Sequence, residues 1–231
     1  MRAAFFDVDG TLTADVTAFR FLEYWFLERG ASLDSFLEVR RALRDMTIAG
    51  ISRDHVSRAF FRQFTGVPEA DVDAAGRRWF AAELSQGGFF NEPVLAAVRQ
   101  HRESGDLVVL VSGSFPPFLM PLAEHVAADR VLCTRPLVAD GVYTGEIGRP
   151  LLGERKAAAV SRLATERRIS LTLSSAYGDH RSDLEMLRSV GDPVLVGDAP
   201  QLVEMAHELG WRRLPRPGGW TPVPRPRLPE H

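Results

Sequence analysis

Asp7 and Asp9 stand one residue apart where an apolar run breaks off, in AAFFDVDGTLT over residues 3–13. Two carboxylates this close repel each other and raise one pKa, whereas a divalent cation offsets both charges and gives each acid a use. With Mg2+, which takes oxygen ligands and binds one or two carboxylates together with substrate phosphate, Asp7 is suited to in-line attack on phosphorus. The plainer reading is a solvated turn, since Asp-Gly pairs are common turn residues, and spacing alone leaves the two readings level. A turn, however, needs no carboxylate directly on a buried strand end.

Three further groups bear on that choice. Ser112-Gly113-Ser114 follows the apolar run VVLV and precedes a proline-marked helix start, so a small hydroxyl and unobstructed backbone N–H groups form a candidate anion cradle. Ser-Gly is also an ordinary loop pair. Lys156, in GERKAAAVSRL, reads by itself as a surface lysine, but an ammonium there could neutralise a phosphoryl group and a carboxylate nucleophile together. Asp179 and Asp183, in AYGDHRSDLEML, supply a candidate third metal ligand and a residue that could orient Lys156; helix capping accounts for one of them but not both. His180 reads as exposed or substrate-facing, because every other candidate ligand is an oxygen.

These groups need elements to carry them to one place. From about residue 87 onward, short apolar runs alternate with helical spacing: a helix opened by Pro93, a strand Leu107–Val111, a helix among Pro116, Pro117 and Pro121, and a short strand Val131–Thr134. A hairpin over Leu137–Ile147 turning at Asp140-Gly141 follows, then a helix 154–168, a strand Leu171–Tyr177, a helix 182–189, a strand Pro193–Val196 and a helix 200–209. Such alternation predicts an α/β fold, a doubly wound and mostly parallel sheet with helices on both faces, whose ligands sit at the carboxyl ends of the strands. Residues 15–85 contain only helical patterns, with Ser32 or Asp34 as a cap. They read as an inserted all-helical unit with its own small core, built from aromatics such as Phe19, Phe21, Tyr24, Trp25 and Phe26. The expected organisation is a core of residues 1–14 and 86–211, a helical cap over 15–85, and a Pro- and Arg-rich tail over 212–231, poorly ordered for the most part.

Composition narrows the class. Of 231 residues, 45% are hydrophobic and 25% charged, with a net charge of -2, which is a globular profile without the basic footprint of a nucleic-acid binder. Cys133 is the single cysteine, which excludes an internal disulfide and fits a reducing cytoplasm. No apolar stretch approaches the roughly 20 residues of a membrane span.

Taken together, DVDGTLT, VSGS, Lys156 and GDHRSDLEML resemble the haloacid dehalogenase superfamily in order and spacing, and the helical block resembles the cap of its phosphoserine-phosphatase-like subgroup. The resemblance implies a phosphate-accepting nucleophile at Asp7, a general acid and base at Asp9, phosphate binding by Ser112, Gly113 and Lys156, and Mg2+ held by Asp7, Asp9 and Asp179 with Asp183 in support. It implies a cytoplasmic hydrolase acting on a small phosphorylated metabolite, with a phosphomutase or a noncatalytic aspartate-phosphorylated module as alternatives. Asp9 favours phosphoryl chemistry over dehalogenation. Val16 stands where phosphoserine phosphatases carry a glutamate, and Ser182 where their fourth motif has asparagine, so phosphoserine is not the expected substrate.

Overall fold

Apolar or small residues form the strands that lie deepest. In the computed structural model, which describes residues 1–214, β1 (Ala3–Phe6), β2 (Leu107–Ser112) and β6 (Ser175–Gly178) are buried on both faces, as parallel strands covered by helices must be. With β3 (Arg130–Cys133), β7 (Asp192–Val196) and β8 (Arg212–Leu214) they make a six-stranded parallel sheet in the order β3-β2-β1-β6-β7-β8. The order turns back at β1, with β2 on one side and β6 on the other, so the crevice for a ligand opens above the carboxyl end of β1. Phe6 of β1 pairs with Leu110 and with Tyr177, which places Asp7, Ser112 and Gly178 at that same end.

Helices α5 (Glu92–Glu103), α6 (Pro116–His125), α7 (Glu154–Arg167), α8 (Leu184–Arg188) and α9 (Pro200–Glu208) complete the alternation. A separate antiparallel hairpin joins β4 (Pro136–Ala139) to β5 (Val142–Ile147), with Asp140 and Gly141 both at positive φ in its turn. No helix among the described residues is long and apolar enough to cross a membrane.

Between β1 and α5 the chain builds α1 (Thr17–Glu28), α2 (Leu33–Ile48), α3 (Arg53–Phe61) and α4 (Glu69–Gln86), with Ser32 capping α2 by accepting from the Ser35 amide. The separate core expected for this cap is not what the structure has. Phe21, Trp25, Phe64 and Trp79 of the cap lie in one apolar cluster with Phe6, Leu110 and Phe118, because Phe115 and Phe118 at the start of α6 reach up among the cap rings. Gly76 makes this approach possible: a Cβ there would lie 2.2 Å from the Pro117 carbonyl oxygen, so α4 sits directly on the backbone of α6.

Two boundaries differ from the sequence expectation. Leu171–Leu173 forms one 3-10 turn, and the strand starts at Ser175; Ser170 Oγ lies 3.0 Å from Thr172 Oγ1 and Leu171 O accepts from the Gly191 amide, which coils this stretch and leaves Leu173 exposed. At the other end Arg212–Leu214 pairs with Val194–Val196 as the last strand among the described residues, so the sheet extends past 211; the remainder of the expected tail lies outside the described residues.

Candidate active site

β1 delivers Asp7 into a tight reversal over Val8–Leu12, in which the Thr13 amide donates to Val8 O and Gly10 adopts φ +82°, a conformation that costs glycine little. The side chain of Asp7 points to Lys156, the third residue of α7, whose Nζ donates to Asp7 Oδ1 at 2.5 Å and to Asp183 Oδ1 at 2.7 Å. All three side chains are buried. Asp183 is fixed from the other side as well, because its Oδ2 accepts from the His180 amide at 3.1 Å while His180 Nδ1 accepts from the Ser182 amide, a reciprocal cap on the turn before α8. Asp179, just past β6, accepts from the Thr11 hydroxyl at 3.0 Å.

The outcome is a floor of three acids and one ammonium. Oxygens of Asp7, Asp179 and Asp183 lie within 4.8 Å of one another. Burial drives the Asp7 carboxyl well above its usual pKa, reinforced by the charge of Asp183 and opposed by Lys156. Burial alone would lower Lys156, but the charges of Asp7 and Asp183 outweigh it and hold the ammonium protonated. Three hard oxygen donors with an excess of negative charge suit Mg2+, in donor type and in charge.

Asp9 faces elsewhere. Its Oδ1 accepts from the Thr17 amide at 2.6 Å and the Thr17 hydroxyl at 2.5 Å, and its Oδ2 from the Ser114 hydroxyl at 3.1 Å. Its carboxylate is therefore absent from the three-acid cluster, where Asp183 stands instead; the expected metal set of Asp7, Asp9 and Asp179 shares two members with the cluster observed. Burial raises the Asp9 pKa, and the hydrogen bonds from Thr17 and Ser114 only partly offset this, so the environment favours a carboxyl able to hold a proton.

Of the cradle residues, Gly113 lies on the pocket wall, while Ser112 is buried with its Oγ accepting from the Ser114 amide. The bond of Thr11 to Asp179 and those of Thr17 and Ser114 to Asp9 were not foreseen from the sequence, although Ser114 belongs to the expected cradle. Thr17 carried a usable signal, since the first amides of a helix need acceptors from outside it and two acids, Asp9 and Asp15, precede this one; Asp15 takes the Val16 amide and Asp9 the Thr17 amide.

The floor opens into a pocket of about 650 Å3 whose upper wall comes from α1, α2 and α3 of the cap. Arg53, the first residue of α3, bridges the two levels: its Nη1 lies 3.1 Å from His180 Nδ1, and burial together with this guanidinium keeps the His180 pKa low. Arg155, beside Lys156, binds Asp54 of the cap through two hydrogen bonds of 2.7 and 3.1 Å.

Known proteins share this fold. A family model described as haloacid dehalogenase-like hydrolase matches residues 4–188. A probable phosphatase of Mycobacterium tuberculosis is 30% identical over 214 residues, covering 90% of this chain and 73% of the relative. Among solved structures, a protein of unknown function from Bordetella pertussis Tohama I superposes with TM-score 0.84 at 22% identity, over 92% of this chain and 97% of that one. A phosphoserine phosphatase captured as a phospho-aspartyl intermediate analogue superposes with TM-score 0.63 at 20% identity, over 88% and 90%.

Proposed function

The chain belongs to the haloacid dehalogenase-like hydrolases, and from that premise we propose that it hydrolyses a small phosphomonoester through a phosphate ester of Asp7. The observation that carries this reading is the pairing of two differently held acids: Asp7 bound to Lys156 in the acid cluster, and Asp9 held apart on hydroxyl and amide donors with its pKa raised. A phosphatase among the relatives and a phospho-aspartyl analogue among the structural neighbours agree with it.

Asp7 attacks phosphorus as the bond to the alcohol oxygen breaks, and Asp9 gives that oxygen its proton. Lys156, the Ser112 hydroxyl and the Gly113 amide hold the phosphoryl oxygens. The ionised Asp9 then takes a proton from water as its oxygen attacks phosphorus, which frees Asp7 and inorganic phosphate and returns Asp9 to its starting state. Asp7, Asp179 and Asp183 are the residues that would hold Mg2+, which supplies positive charge against the phosphoryl oxygens. Arg53 and the cap above the floor shield the site from bulk water.

The test is phosphate release from an aryl phosphate with Mg2+, by the parent and by Asp7→Asn. Loss of the nucleophile should lower turnover by roughly 10⁴-fold or more, and chelation of divalent metal should abolish it reversibly. Because Lys156 keeps its bond to Asp183 and the folded state sheds a carboxylate whose pKa burial raises, metal-free Asp7→Asn should melt no lower than the parent. Parental turnover in that variant would sink the assignment.

A further inference from the structure

The floor accounts for phosphate, but the upper wall says what the phosphate is attached to. Cap residues Ala18, Phe19, Leu43, Val56, Phe60 and Phe61 line it, joined by Leu152 from the core; the cap hydroxyls there are Ser57 and Thr47, the latter donating to Leu43 O at 3.1 Å, so the space above the acids is walled largely by carbon. Phe60 and Phe61 are held by rings around them, Phe60 edge-on to Phe19 and Phe61 edge-on to Phe115, which makes the wall a built surface. Charged groups that could read a charged alcohol are few and already engaged. Asp15 is the one acid of the cap side that lines the pocket among the described residues; its Oδ1 accepts from the Val16 amide at 2.7 Å and its Oδ2 lies 3.7 Å from Arg20. Arg53, the one cap cation there, is turned to His180.

An alcohol bearing an ammonium or several hydroxyls would have to give up water here for a mostly apolar wall that offers few polar partners, a loss burial does not return. The pocket, at about 650 Å3, is also larger than a phosphoryl group needs. We propose that the leaving group is an uncharged alcohol with an apolar body, aryl or alkyl, seated against Phe19, Val56 and Phe60. This rests on the phosphatase reading above, and it narrows the substrate to a class that the floor alone does not choose.

The experiment measures kcat/KM with Mg2+ for n-butyl, n-hexyl and n-octyl phosphate, a naphthyl phosphate, O-phosphoserine and a hexose monophosphate. The expectation is a gain of about fourfold per added methylene until the pocket is full, and at least about tenfold preference for octyl or naphthyl over the two polar esters. A monoacylglycerol phosphate in detergent micelles extends the series: a continued rise identifies a lipid source, and a plateau at short chains a soluble metabolite. Val56→Asp, at a half-buried position, should flatten the chain-length slope and narrow the preference for octyl phosphate over O-phosphoserine, and a folded variant that keeps the parent's slope would overturn the seat. Hydrolysis of the polar esters as well as or better than octyl phosphate would overturn this inference and leave the phosphatase reading standing. Absence of phosphate release from every ester would overturn both.

Discussion

The floor and the upper wall of the same pocket are built on opposite principles. Below, Asp7, Asp183 and Lys156 are buried and Asp179 half-buried, so charge is crowded together and held by hydrogen bonds from Thr11, His180 and each other. Above, Phe19, Leu43, Phe60 and Phe61 bring no charge at all. Charge is expensive to bury and so must be placed by specific donors, whereas an apolar wall is held by the same packing that stabilises the fold. The difference teaches that reaction and substrate are separately encoded: changes below should move chemistry and metal dependence, and changes above should move preference and stability.

After Asp7→Asn, the largest effect that could break this contrast is Lys156→Met. Removing the ammonium leaves Asp7 and Asp183 facing each other uncompensated, and the metal-free protein should lose about 3–5 kcal/mol in urea unfolding. Mg2+ should restore part of it; an unchanged unfolding midpoint would mean that the floor is not under electrostatic tension. Gly76→Ala attacks the upper region instead. A methyl group 2.2 Å from the Pro117 carbonyl forces α4 off α6, for an expected loss of about 1–3 kcal/mol seen as a lower melting temperature, with little change in metal affinity.

Thr17→Val sharpens the comparison, because Thr17 belongs to the cap helix α1 yet serves the floor through Asp9. With the hydroxyl gone and the amide kept, kcat should fall about tenfold at unchanged KM, the equivalent of one lost hydrogen bond to a charged group. Thr17→Ser should recover most of the rate. The smallest effect is expected at the outer face of the cap, where Arg78 forms two hydrogen bonds to Glu28 and thereby lowers the Glu28 pKa. A folded pKa below the unfolded one gives stability that is present above the unfolded value and lost as pH falls through the folded one. Arg78→Ala should therefore cost less than about 1 kcal/mol near neutrality, and the difference from the parent should vanish in acid.

The same contrast explains what the sequence made legible. Asp7, Lys156, Asp179 and Asp183 stand next to strand ends and helix starts, so once the βα alternation is read their convergence follows from topology. The partners of Asp9 were hidden, because Thr17 reaches it only after the reversal at Val8–Leu12 bends the chain back. The same bend turned Asp9 away from the cluster in which it was expected. The wall was hidden for another reason: adjacent Phe60 and Phe61 carry a helical apolar pattern whether they face a core or a cavity. Leu171–Leu173 shows the limit of composition, since a Leu-Thr-Leu run that suits a strand coiled when Ser170 and Thr172 offered local hydroxyl contacts.

The last strand carries a practical consequence. β8 is only three residues long, but it covers the open side of β7, and Arg212 grips Asp192 of that strand through two hydrogen bonds of 2.5 and 2.7 Å. A truncation ending at Trp211 would uncover the DPVLV edge with its backbone donors and acceptors unspent, an invitation to intermolecular pairing and aggregation. Expression boundaries drawn for this chain should therefore keep Leu214.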